Sequence, residues 1–136
     1  MLCLGSLRAK ADLDASQVIV LINSNEPTSR ALAQEFIQHR QVAADHLIAL
    51  PMPTTETITW AQYSETILNP LRKKLLSQKI LSGKLGDTPD NHGRLDFIPQ
   101  TGSHLQWIIT LRGVPLKIKN SGLGKSTGPL KGDHDS

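Results

Sequence analysis

Five consecutive apolar residues, Val18-Ile19-Val20-Leu21-Ile22, stand between Gln17 and Asn23 with no polar side chain among them. Successive side chains of a strand point to opposite faces, so a strand with one wet face alternates apolar and polar residues. A run that does not alternate must be covered on both sides, and its β-branched character favours strand over helix. The run is therefore predicted to be the central strand of a parallel sheet with helices on both faces. The next residues agree. Ser24-Asn25-Glu26-Pro27-Thr28-Ser29 is rich in helix-capping residues, and within residues 30–40 Leu32, Phe36 and Ile37 recur at helical spacing. Strand, polar loop and helix open a βαβ unit.

Residues 46–50 form a second apolar run, ended by Pro51 and Pro53, which have no backbone donor for a ladder. Thr59 with Gln62 makes a capping box, Ile58 and Tyr63 have hydrophobic-staple spacing, and Trp60, Tyr63, Ile67 and Leu71 mark one helix face. Pro70 would cost a continuous helix about 3 kcal/mol, which predicts a kink or a fresh start with Asn69 as cap. Leu71, Leu75 and Leu76 continue the pattern, and Lys79 with Gly83 suits a helix end. Periodicity is then lost over residues 82–104, read as a long loop with a short strand at residues 95–98. A third strand at residues 105–111 runs into the turn Arg112-Gly113-Val114-Pro115. Right-handed crossovers with one reversal of direction give the strand order 2-1-3. The fold class is thus α/β: a partial open parallel sheet flanked by helices, an incomplete doubly wound domain with edges left to pair.

At 136 residues with 38% hydrophobic and 20% charged side chains, the chain can bury one core and matches ordinary globular usage. No apolar run reaches the roughly 18 residues of a membrane span. The net charge of +3 is dispersed rather than gathered into a stripe, and three of the five aromatic residues sit at positions that read as core, which disfavours nucleic acid as a partner. Cys3 has no second cysteine to pair with, and His39, His46, His92, His104 and His134 lack metal-site spacing, so no metal is expected. Whether a cofactor is bound is not legible in these residues. Gly122-Leu123-Gly124-Lys125-Ser126-Thr127 has the ending of a phosphate loop, but Lys119 occupies the position of the first glycine and no apolar helix follows.

Three segments result: 1–16, a remnant of a signal peptide; 17–118, the α/β domain; and 119–136, a polar tail expected to be disordered. Ala9-Lys10-Ala11 has the form of a signal-peptidase site, yet the apolar stretch before it is shorter than the roughly 7 residues such a segment needs. Two explanations stand: the match is chance, or Met1 is internal and the true start lies upstream.

In open α/β sheets ligands bind beyond the carboxyl ends of the strands, at the point where strand order reverses. Here that rim collects Asn23, Ser24, Asn25 and Ser29 after the first strand, Thr54, Thr55 and Glu56 after the second, and Arg112 after the third. An anion could meet the N–H groups of the first helix with Arg112 opposite. The competing reading makes Asn25 and Ser29 caps, Glu56 a surface charge and Arg112 a solvated side chain.

Val-Ile-Val-Leu-Ile-Asn-Ser-Asn at 18–25, Ser29 with Ala33 and Phe36, Arg40-Gln41-Val42, Thr55-Glu56-Thr57-Ile58, Asn69-Pro70-Leu71 and Leu111-Arg112-Gly113-Val114-Pro115-Leu116 stand in an order that resembles an uncharacterised bacterial family. That family occurs in genomes carrying exosortase, a proposed protein-sorting transpeptidase. The resemblance covers residues 17–116. It departs at Ala43, where the family tends to have proline, and at Arg112, where it tends to have lysine. It implies a longer α/β domain, commonly exported behind a signal peptide, with no established activity. The expectation is a ligand-binding or enzyme-like domain near the cell envelope, exported if Met1 is not the true start and cytoplasmic otherwise. The alternatives are a truncated frame without function, or a module that pairs an exposed strand edge with a protein partner.

Overall fold

The computed structural model describes residues 14–119, so the N-terminal small-x-small motif and the Gly122–Thr127 motif lie outside the described residues. The elements in order are β1 (Val18–Asn23), α1 (Pro27–Arg40), β2 (Leu47–Leu50), β3 (Thr57–Ile58), α2 (Trp60–Tyr63), a π turn (Ser64–Leu68), α3 (Asn69–Ser77), β4 (Gly83–Pro89), β5 (Leu95–Pro99), β6 (Trp107–Thr110) and β7 (Lys117–Ile118). The main sheet has the order β2-β1-β6 and both pairings are parallel, which is the 2-1-3 arrangement read from the sequence.

All six residues of β1 are buried, as its lack of alternation requires. Ile19 and Leu21 point into a cluster with Ile48, Leu50, Met52, Ile58, Ile67, Leu71 and Leu75, beneath the α2–α3 helix. Val20 and Ile22 point the other way, into a smaller cluster with Ala33 of α1 and Val42. Each large aliphatic side chain buried this way contributes about 1.5–3 kcal/mol, so β1 anchors both layers. The aromatic residues are not the core. Phe36 and Tyr63 pack at the margins of the two clusters, and Trp107 is 53% exposed.

The helices differ from expectation at their ends. α1 starts at Pro27 rather than at residue 30, because proline's fixed φ suits the first helical position; Glu26 is the N-cap residue and makes no side-chain capping bond. Thr59 and Gln62 form the capping box as read. At Pro70 the helix does not restart. Leu68 and Asn69 keep helical dihedrals, and the turn before Pro70 widens, with the Asn69 N–H donating to Ser64 O, five residues back. A widened turn there lets the chain run on past a residue that cannot donate. Asn69 is therefore not a cap. Its amide instead donates to Gly93 O at 2.8 Å and accepts from Leu95 N at 3.1 Å. At the far end Lys79, not a glycine, takes the left-handed conformation after α3, with φ 58°.

The stretch read as a long loop is a β-hairpin, with β4 antiparallel to β5. Asp90 builds its turn by accepting from His92 N and Arg94 N, both at 2.9 Å, while Arg94 Nη2 closes an ion pair to it at 2.7 Å. Arg72 of α3 donates to Leu95 O at 2.9 Å and lies 5.5 Å from the Phe97 ring centre, fastening the hairpin to the helix. Gly83 fits beneath Phe97 because it has no Cβ, which would come within 2.5 Å of that ring. A further ladder, unforeseen in the sequence, joins β3 to β7 in parallel. Among the described residues no helix is long and apolar enough to cross a membrane.

Candidate functional site

β1, β2 and β6 all run the same way, so the chain leaves each of them at one end of the sheet. Asn23, the last residue of β1, is fully buried there. Its Nδ2 donates to Pro53 O at 3.1 Å and Gly113 O at 2.8 Å, and its Oδ1 accepts from the backbone N–H of Asn25 and of Met52, both at 3.0 Å. An asparagine amide has two donors and two acceptor lone pairs, and all four are used inside the protein. Asn23 therefore ties together the loops after all three strands and keeps no group for a ligand. Asn25 adds a second tie by donating from Nδ2 to Met52 O at 2.9 Å, and the Ser24 N–H donates to Leu50 O.

Next to this knot lies an open cleft of about 480 Å³, lined by Glu26, Thr54, Thr55, Glu56, Arg112, Gly113, Val114 and Leu116. The sequence-derived rim is thus brought together only in part. Glu56 and Arg112 line the cleft, and so do the neighbouring Thr54 and Thr55, whereas Asn23, Ser24, Asn25 and Ser29 do not. Ser29 lies in the first turn of α1 on its inner face, fully buried, with no hydrogen-bond partner for its hydroxyl among the described residues. It neither caps the helix nor faces the cleft.

Two lining features carry no clear signal in the sequence. Glu26 reads there as an ordinary loop residue, yet its carboxylate accepts from the Thr28 hydroxyl at 2.8 Å beside the start of α1. Gly113 has φ 97°, and a Cβ placed on it would come within 2.6 Å of Glu26 Cγ. Only glycine allows the loop after β6 to approach Glu26 so closely. The β3–β7 ladder follows directly on the lining residues Glu56 and Leu116, where the backbone N–H groups of Leu116 and Lys117 donate to Glu56 O and Lys117 Nζ sits 2.9 Å from the Glu56 carboxylate. Both partners of that ion pair are more than half exposed, so it contributes little stability.

The Glu56–Lys117 pair cancels its own charge. What remains facing the cleft is one carboxylate, Glu26, and one guanidinium, Arg112, which makes no side-chain hydrogen bond or ion pair among the described residues. The lining has no His or Cys. It supplies hydroxyls and two charges of opposite sign, an arrangement suited to holding a small ligand with one anionic group and a hydrogen-bond donor or cationic group.

No family model matches the chain, and neither does any curated protein or solved structure.

Proposed function

We propose that this chain is a ligand-binding α/β domain whose site is the cleft at the carboxyl end of its sheet. On the resemblance to the family found in exosortase-bearing genomes, we place its work at the cell envelope. The observation that carries the binding reading is the position of Arg112. It follows the edge strand of the main sheet, faces an open cleft beside the point where strand order reverses, and has no side-chain hydrogen bond or ion pair among the described residues. An anionic group of the ligand sits against that guanidinium, which suits planar carboxylates and phosphates. Glu26 across the cleft repels a second negative charge, so a monoanion or a zwitterion is favoured over a polyanion. Calorimetric titration of inorganic phosphate and of acetate into the wild type and into Arg112→Ala tests this. Saturable binding by the wild type that the substitution abolishes supports the reading; equal binding in both, or none in either, rejects it.

A further inference from the structure

The main sheet has two edges among the described residues, and they are finished differently. Leu50 O accepts from Ser24 N, so Leu50 turns its backbone groups inward to β1, and the outward positions of β2 are Leu47 and Ala49, followed by Pro51. Proline has no N–H to offer a further strand, and Pro53 follows two residues on. That edge is short and blocked.

The β6 edge has no such protection. Leu111 N donates to Leu21 O, so within the strand Ile109 faces β1 as Leu111 does, and Ile108 and Thr110 present their N–H and C=O groups outward with no backbone partner among the described residues, whereas Gln106, just before the strand, turns its N–H inward to Gln17 O. From Leu105 to Leu111 there is no charge and no proline, the two commonest devices that keep an edge from pairing. Trp107 and Ile108 are 53% and 49% exposed on opposite faces of the sheet. Ile108 pairs with Ile19 on the α2–α3 side, and Trp107 and Ile109 pair with Val18 and Val20 on the α1 side.

We infer that β6 pairs with β6 of a second copy of this chain, antiparallel, across a two-fold axis perpendicular to the sheet and passing beside Ile108. Such an axis keeps each sheet face on its own side. It sets Ile108 against Ile108 of the second copy and Trp107 against Ile109 of the second copy. Gln106 lies outside the paired stretch, because its N–H is already given to Gln17 O. Apolar residues thus meet apolar ones from Trp107 to Ile109, with the outward N–H and C=O groups of Ile108 exchanged between copies. The strand carries no charge that would select a partner of different sequence. Because both outer edges of the resulting six-stranded sheet are the proline-blocked β2 edges, addition stops at two copies and the assembly is closed.

The test is the solution mass of the full 136-residue chain by light scattering and sedimentation. The inference expects twice the 14.9 kDa of one chain. Ile108→Lys and Ile108→Glu each place like charges face to face at the axis and weaken association by at least about tenfold. Each remains folded by circular dichroism, because position 108 is half exposed. Mixing the two variants restores a dimer, since lysine then meets glutamate. That rescue belongs to a contact of residue 108 with its own symmetry copy, and a merely destabilised fold would not show it. A wild-type mass of 14.9 kDa, open-ended aggregation, or folded charge variants that dimerise separately as well as they do together would each overturn the inference.

Discussion

β1 and β6 are neighbours in one sheet, paired residue by residue from Val18 with Trp107 to Leu21 with Thr110, and both read as apolar runs. Yet every residue of β1 is buried, whereas three of the four in β6 are exposed. Local sequence therefore reports which backbone conformation a segment prefers, while its burial depends on what the rest of the chain lays over it. Helices cover β1 on both faces; the same two layers stop short of β6.

Truncating one strand and then the other gives the widest contrast. Ile19→Ala should lower stability by about 3–4 kcal/mol in urea unfolding, and Ile108→Ala by less than about 1 kcal/mol when measured dilute. Similar losses from both would mean that β6 is covered as β1 is. The ends of the strands should differ in the same sense. Asn23→Ala strands two carbonyls and two N–H groups and should cost about 3 kcal/mol, whereas Arg112→Ala should leave the unfolding midpoint unchanged and act only on ligand binding. A loss of stability at Arg112 would show it to be structural.

Smaller effects sharpen the picture of what β1 and α1 enclose. Ser29→Ala removes a buried hydroxyl without a partner, so stability should hold or rise by up to about 1 kcal/mol, read as a shift in thermal midpoint. The least effect concerns the hairpin, which packs on α3 away from both strands compared. The backbone N–H of Arg94 beside Asp90 holds that carboxyl below its usual range, with His92 and the Arg94 side chain reinforcing it. A carboxyl lowered in the folded state stabilises above its unfolded pKa, and the contribution is lost as pH falls through the folded value. Protection of the His92 and Arg94 amides, exchange measured against the intrinsic rate at each pH, should therefore fall as pH drops below the ordinary aspartate range, and Asp90→Asn should remove that dependence. An unchanged acid response in the variant would remove Asp90 as its source.

Much of the frame was legible from residues 17–111. The unbroken run of β1, the proline stop after β2 and the Thr59–Gln62 capping box are local signals, each decided by backbone sterics or by partners a few residues away. The hairpin was missed because Asp90 and Gly93 read as loop residues in isolation. They became a turn once Asn69 and Arg72, more than 20 residues earlier in the chain, supplied partners for Gly93 and Leu95. The β3–β7 ladder was missed for a similar reason, since two-residue strands carry no periodicity. Of the rim residues, Glu56 and Arg112 line the cleft, but the strand ends did not indicate which other side chains face it. Asn23 and Ser29 are turned inward, and Glu26 became a lining residue only where Gly113 came against it.

The sequence by itself determined the parallel sheet, its order and the Thr59–Gln62 helix start, because alternation, crossover geometry and capping act over a few residues. Only the tertiary structure decided that Asn23 is a knot rather than a ligand group, that Glu26 and Arg112 share a cleft, and that β6 keeps an edge unpaired among the described residues. Those outcomes depend on which distant backbone groups arrive at each side chain, and no local pattern encodes that arrival.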